Sequence, residues 1–421
     1  MHPPTVRTVE AVWRIESARL IGALARSVHD LALAEDLAQD ALVAALEQWP
    51  ESGVPNNPGA WLMAVAKRRS VDGVRRAVTL ERKLEQMGRA LPTGYDPVAD
   101  AEFDTHVSDD VLRLMFTACH PVLSTEARVA LTLRMVAGLT TDEIARAFVV
   151  QPATMAARIT RAKKALASAG VPFEVPVGTE LAARLPAVLE TVYLLFNEGY
   201  TATSGAAWTR PALCDEAMRL GRMLAALAPQ PEVLGLVALM EIQASRLAAR
   251  VGADGAPITL LDQDRARWDR LLITHALACL ERAGADAGPY LLQARIAACH
   301  ARAPRAADTD WTEIARLYGE LVDLTGSPIV ELNRAVAVAM ADGPQAGLGI
   351  VDELVDGPAL ASYHLLPSVR GDLLAKLGRT DEARAEFERA ARLTANEAER
   401  ALLLARATAL PPRGAGRRHP C

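Results

Sequence analysis

The apolar residues of this 421-residue chain recur at spacings of three and four, and almost nowhere at two. A half-buried strand needs period-2 alternation, whereas a helix buries one stripe at i, i+3, i+4 and i+7. Ala and Leu supply most of that apolar surface and are strong helix formers, while aromatics make up only 4% of residues. The expectation is an all-α chain, long enough for two or three domains. No stretch approaches the roughly 18 uncharged apolar residues of a membrane span. Met1 to Leu20 interleaves Arg7, Glu10, Arg14, Glu16 and Arg19 with its apolar residues, so no secretory signal is expected. The five cysteines (Cys119, Cys214, Cys279, Cys299, Cys421) are scattered and odd in number, which fits a reducing, cytoplasmic setting.

Net charge is −5, which taken alone argues against nucleic acid. The average hides a segregation. Residues 1–170 carry 20 bases and 20 acids, leaving 26 and 31 for the rest, and within the first part the signs come in blocks. Asp30 to Glu51 holds only acids (Asp30, Glu35, Asp36, Asp40, Glu47, Glu51). Bases dominate from Lys67 to Lys83, acids return from Asp96 to Asp110, and Pro152 to Gly170 holds only bases.

Composition divides the chain further. Residues 8–84 read as helices broken by a Pro/Gly/Asn loop from Pro50 to Gly59, and 85–107 as an acidic linker. Residues 108–170 return to short helices; after Pro172 and Pro176, 180–408 is a long helical block, and 409–421 a disordered tail.

Within 108–170, Gly138 ends one helix and Thr140-Thr141-Asp142-Glu143 is a capping box that opens the next. Ile144, Ala145 and Phe148 are expected to face inward. Pro152 suits the first position of the following helix, where its missing N–H costs nothing. Met155, Ile159, Ala162 and Leu166 form that helix's apolar stripe, while Thr154, Arg158, Arg161 and Lys164 project elsewhere with no acid in the helix to offset them. An apolar face on partner helices and basic side chains outward is the pattern of a DNA recognition helix, and Lys163 beside Lys164 adds to it. An ordinary amphipathic helix with a solvated basic face has the same spacing.

In the first block, Asp36, Gln39 and Asp40 share one polar face of a helix whose other side is assigned Leu33, Leu37 and Ala41. Trp49 closes that helix. The next starts near Ala60-Trp61 and turns basic at Lys67, Arg68, Arg69, Arg75 and Arg76. An aromatic beside a basic run suits single-stranded nucleic acid, where rings stack on bases; Trp61 taken by itself reads as core.

Ala34 to Ala41, Pro58-Gly59-Ala60-Trp61-Leu62, Ala66 and Asp72 to Arg76 together resemble region 2 of the extracytoplasmic-function sigma factors. Leu123 to Leu166, with Gly138-Leu139-Thr140, Asp142 to Ala145, Thr154, Arg158, Arg161 and Leu166, resembles their region 4. The resemblance implies that Asp36, Gln39 and Asp40 dock on the clamp helices of the RNA polymerase β′ subunit, the β subunit being the other core partner. It implies that Trp61, Lys67, Arg68, Arg69, Arg75 and Arg76 hold the melted −10 element, and that Thr154, Arg158, Arg161, Lys163 and Lys164 meet the −35 element. The acidic linker would thread the channel later taken by RNA. Where family members often carry a basic and a small polar residue, two and three positions after Thr154, this chain has Ala156 and Ala157.

In the C-terminal block, Gly371-x2-Leu374, Ala383-x3-Phe387 and Ala390 match tetratricopeptide (TPR) positions, with a turn expected from Lys376 to Glu382; a weaker copy runs from Ala335 to Leu354, with Asp342-Gly343-Pro344 at its turn. A subgroup of these sigma factors with a TPR-like extension shares Asp109 to Pro121, Leu195 to Tyr200 and Ser327 to Ala335. Such an extension would bind a protein or peptide and control activity in place of a separate anti-sigma protein. Asn197, Glu198, Gly199 and Tyr200 form a polar insertion that reads either as a regulatory corner or as a helix C-cap with Gly199 left-handed.

No phosphate-binding loop, dinucleotide fingerprint, zinc-protease or nucleophile-elbow motif occurs, so no enzyme, cofactor or metal is expected. Cys119-His120 and Cys299-His300 lack finger-like spacing, and His275 with Cys279 reads as core. The expected function is a sigma factor with a regulatory helical extension. A polymerase-independent helix-turn-helix regulator and a TPR scaffold are the alternatives.

Overall fold

The computed structural model describes residues 3–70, 107–148, 150–200, 211–252, 258–286, 288–394 and 397–410. Arg75, Arg76, nearly all of the expected acidic linker and the tail from 411 onward lie outside them. Among the described residues every extended element is a helix. The chain divides into two compact units, Met1–Pro229 and Gln230–Cys421.

In the first unit α1 (Pro3–Val28) and α2 (Leu31–Ser52) pack as a pair, followed by α3 (58–70). The Asp30 carboxylate caps α2 by accepting the N–H groups of Ala32 (2.8 Å) and Leu33 (3.0 Å). Helix α4 (Val107–Ala118) lies against α1 at Gly22, where a Cβ would fall 2.9 Å from the Asp110 carbonyl oxygen. Three short helices follow: α5 (Thr125–Met135), α6 (Thr141–Ala147) and α7 (Pro152–Ser168).

Helices α8 (Gly178–Tyr200) and α9 (Pro211–Leu227) complete this unit. Arg184, 6% exposed, donates to the Phe116 carbonyl at 2.9 Å with its guanidinium over the Phe116 ring. Arg128 reaches the Ala187 carbonyl (3.4 Å) and Glu190 (3.0 Å), and Arg219 the Val136 carbonyl (3.1 Å). The fold therefore divides at 229/230, not at the composition break near 170–180. Pro172 and Pro176 lie in the connection between α7 and α8, but the apolar stripe of α8 (Leu185, Val188, Val192, Leu195) stays buried within the first unit.

The second unit runs from α10 (Pro231–Ser245) through α11 (Arg270–Ala283), α12 (Pro289–Arg302), α13 (Trp311–Thr325), α14 (Pro328–Asp342), α15 (Pro344–Val355), α16 (Leu365–Lys376) and α17 (Thr380–Leu393) to α18 (Glu397–Ala409). Helix α12 packs chiefly on α10, and from α13 onward each helix packs chiefly on its neighbours in sequence. The two expected turns fall at Gly343 (φ 99°) and Gly378 (φ 76°), both in a backbone region that glycine enters freely. At Gly371 a Cβ would lie 2.9 Å from the Phe387 ring, so α16 and α17 cross closely there.

Candidate nucleic-acid interface

The helix-turn-helix is built by local chemistry. Gly138 turns the chain with φ 69°, and the Leu139 N–H bonds back to the Leu133 carbonyl at 3.0 Å. Thr140 then caps α6: its hydroxyl accepts the Glu143 N–H (3.2 Å), and the Glu143 carboxylate accepts the Thr140 N–H (2.8 Å). Burial pushes the Glu143 carboxyl up, but the Thr140 N–H and hydroxyl and the Arg14 charge outweigh it and hold the group below its ordinary range. Ile144 and Ala145 are buried as expected, Phe148 half-buried.

Helix α7 buries Met155, Ile159, Ala162 and Leu166 and exposes Ala153, Thr154, Ala156, Ala157, Thr160, Arg161 and Lys164. Two expected members of the basic face lie differently. Lys163 has its Nζ against Glu35 of α2, with its side chain only 17% exposed. Arg158 is half-buried and borders a cavity of about 240 Å³ that Glu126, Val129, Phe148, Met155, Leu194 and Glu198 also line. Glu126 sits below the usual carboxylate range because its own N–H and the Ser124 hydroxyl bond to it, with the Arg158 charge helping. The acids missing from α7 itself thus come from other helices.

Glu35 is the residue that motif reading passes over. It is 3% exposed and also accepts from Arg134 Nε at 2.6 Å, so one carboxylate of α2 holds side chains of α5 and α7. The signal was present in the sequence: Glu35 lies among Ala34, Ala38 and Ala41, on the small-residue side of its helix. Three further contacts join the two motif blocks. Trp13 Nε1 donates to the Gly138 carbonyl (3.1 Å), Arg14 pairs with Glu143 (2.9 Å), and Arg26 with Asp110 (3.5 Å).

On the outer side of α2, Asp36 and Asp40 are exposed and Gln39 is half-buried. Leu33, expected inward, is 45% exposed, and Val43 47%; the inward stripe is Ala34, Leu37, Ala38 and Ala41. On α3, Arg68 is exposed and Lys67 half-buried, while Arg69 bridges back to Asp40 at 3.1 Å. Trp61 is half-buried and meets the buried Trp49 edge-on, with centroids 5.3 Å apart.

Gly199 is buried inside α8, outside the left-handed region, so the C-cap reading of Asn197, Glu198, Gly199 and Tyr200 fails. Tyr200 stacks on Phe196 at 5.5 Å and continues the helix. His275 is exposed, not core, and its Nδ1 lies 2.6 Å from the buried carboxylate of Glu241; Cys279 is buried as expected. Among the described residues no helix is long and apolar enough to cross a membrane, and no three His, Cys, Asp or Glu side chains converge as metal ligands.

Comparison with known proteins assigns names to these blocks. Sigma-70 region 2 matches residues 14–79 and sigma-70 region 4 matches 113–166. A family of unknown function, DUF6596, matches 184–284. An uncharacterized protein of Rhizobium meliloti (strain 1021) is 46% identical over 388 residues, 91% of each chain. The Probable ECF RNA polymerase sigma factor SigI of Mycobacterium tuberculosis is 28% identical over 161 residues, 37% of this chain and 53% of its own length. The ECF RNA polymerase sigma factor SigK of Mycobacterium sp. (strain KMS) is 29% identical over 157 residues, 35% of this chain and 76% of its own. No solved structure matches.

Proposed function

Because the chain belongs to the extracytoplasmic-function sigma factors, we propose that it docks on core RNA polymerase through α2 and brings it to promoters read by α3 and α7. It is a transcription initiation factor with DNA-binding regions 2 and 4, which imply binding to core polymerase and promoter DNA. The observation that carries the residue-level reading is one unit combining a capped helix-turn-helix, basic on its open face, with an acidic exposed helix.

In this reading Asp36 and Asp40, with Leu33 and Val43 beside them, contact the polymerase. Lys67 and Arg68 track the −10 backbone, joined by Arg75 and Arg76. Thr154, Arg161 and Lys164 meet phosphates and base edges at −35. The arrangement of the two regions sets a condition on promoter binding. The −10 and −35 elements lie about 25 base pairs apart, roughly 85 Å along B-form DNA, whereas α2 and α7 touch through Glu35 and Lys163. Two-site promoter binding therefore requires α2 and α7 to part. The second unit, with its TPR-like helix pairs, would serve as a surface for a protein partner that tunes activity.

Run-off transcription with purified core enzyme over a genomic promoter library tests the proposal. Transcripts that need both α2 and α7 are expected; promoter binding without the core enzyme and no transcript would overturn it in favour of a polymerase-independent regulator.

A further inference from the structure

The turn between α10 and α11 buries more polar atoms than it pairs. Arg265 is 6% exposed, Trp268 2%, Gln263 9% and His300 9%. Arg265 commits its terminal nitrogens to the end of α12 and beyond: one donates to the carbonyls of His300 (2.7 Å) and Ala303 (2.6 Å), the other to the Thr309 hydroxyl (3.1 Å). Its Nε has no partner among the described residues, and neither have Trp268 Nε1, His300 Nδ1 and Gln263 Oε1. Arg265, Trp268 and His300 belong to one cluster, and Gln263, which donates to the Ile258 carbonyl at 3.2 Å, stands two residues before Arg265 in the same turn. The Arg265 guanidinium stands 4.9 Å from the Trp268 ring centroid, and Arg265 is bonded to the His300 backbone.

The cluster is also cationic. Arg246 approaches the same indole, at 5.9 Å. Burial, then the charges of Arg246 and Arg265, push the His300 imidazole down to about 4. Burial and Arg246 likewise lower Arg265, opposed by one carboxylate, Asp308. Asp308 is committed to Arg305, at 2.8 Å from each of two nitrogens. The nearby carboxylates of Asp264 and Asp269 cap helix ends by accepting the N–H groups of Ala266, Leu271 and Leu272. Buried polar atoms ordinarily find partners, and buried cations ordinarily find counter-charge. The Arg265 and Trp268 N–H groups, with a His300 nitrogen that donates in the Nδ1–H tautomer, are the complement of a small oxyanion, and the Gln263 amide oxygen can accept from one that carries a proton.

We propose that Gln263, Arg265, Trp268 and His300 form a binding site for a small oxyanion, the recognised group being a carboxylate or a phosphate. The site lies wholly in the second unit and does not depend on how regions 2 and 4 read a promoter.

Thermal unfolding and calorimetric titration of the full chain against inorganic phosphate, acetate and chloride at equal ionic strength test the site. Phosphate, acetate or both raise Tm saturably, and which of them does so identifies the group; no saturable response, or an equal response to chloride, overturns the proposal. Trp268→Phe keeps the ring and deletes one donor, and is expected to weaken binding about tenfold. The indole N–H resonance absent from the Trp268→Phe spectrum should shift on titrating the wild-type chain with the binding anion, a readout that a purely structural tryptophan would not move. Gln263→Glu supplies a carboxylate in place, so Tm without added anion should rise and the anion response disappear. A Gln263→Glu chain that keeps the wild-type response overturns the assignment.

Discussion

Neutralising Glu35 asks whether the two DNA-facing regions form one body in the free chain. The carboxylate is 3% exposed, with Arg134 Nε at 2.6 Å and Lys163 on its other oxygen. Removing one partner of a fully buried pair costs about 3–5 kcal/mol, because the charge left behind stays desolvated. Here the abandoned side chains keep 14% and 17% exposure, so water reaches them in part. For Glu35→Gln the loss is therefore about 2–3 kcal/mol. In a unit the size of Met1–Pro229 that lowers Tm by roughly 4–12 °C.

Urea denaturation of the wild type, Glu35→Gln, Lys163→Gln and the double variant isolates the pair itself. A coupling energy of about 1–2 kcal/mol is expected, since the partners share one buried site. DNA binding gives a second readout. While the pair is closed, Lys163→Gln leaves the salt dependence of binding to a −35 duplex unchanged. Arg161→Ala and Lys164→Ala each reduce its slope by about one. Additive single effects, within about 0.3 kcal/mol, would mean that α2 and α7 do not meet in solution, and the need for them to part would fall with that contact.

Three other outcomes follow from local structure. Thr140→Ala removes the cap of α6 and should cost about 1 kcal/mol by denaturation, with Thr140→Ser nearly neutral. His300 is held neutral by the fold, with its value near 4 against an ordinary 6.5. Its contribution is therefore complete above pH 6.5 and is lost as pH falls toward 4, by at most about 1.4 kcal/mol per pH unit; His300→Gln should flatten that acid limb. Truncation after Gly170 strips α8 and α9 from α4 and α5 and should abolish near-ultraviolet circular dichroism, whereas truncation after Pro229 preserves it.

What the sequence disclosed was what depends on neighbours in the chain. The α7 stripe, the capping box at Thr140 and the turns at Gly343 and Gly378 each span a few residues, and all four are where periodicity and turn chemistry put them. What it withheld depends on partners far away. Glu35 reads as one more acid of an acidic helix until Arg134, 99 positions on, is folded against it. Leu33 illustrates a smaller failure: each residue turns a helix by about 100°, so assigning a face one position out exchanges Leu33 for Ala34. The polar run at Asn197 suggested a stop because polarity punctuates helices, but the Phe196–Tyr200 stack carries the helix through it. The break from Gly170 to Pro176 separates two helices without ending the packing, which continues to Pro229.

The charge blocks acquire a different meaning from these contacts. Residues 1–170 balance 20 bases against 20 acids. Read linearly, that balance is an acidic polymerase face plus a basic DNA face. In the folded unit part of it is internal: Glu35 with Arg134 and Lys163, Arg14 with Glu143, Arg26 with Asp110, Asp40 with Arg69. Parting α2 from α7 changes both faces together. Glu35, adjacent to Asp36, adds a negative charge to the helix proposed to dock on polymerase, while Lys163, adjacent to Lys164, adds a positive one to the helix proposed to meet DNA. Any surface that binds α2 better with Glu35 free favours the open form, and so does any duplex that binds α7 better with Lys163 free. By linkage, each must then strengthen the other, without any contact between polymerase and the −35 duplex being required.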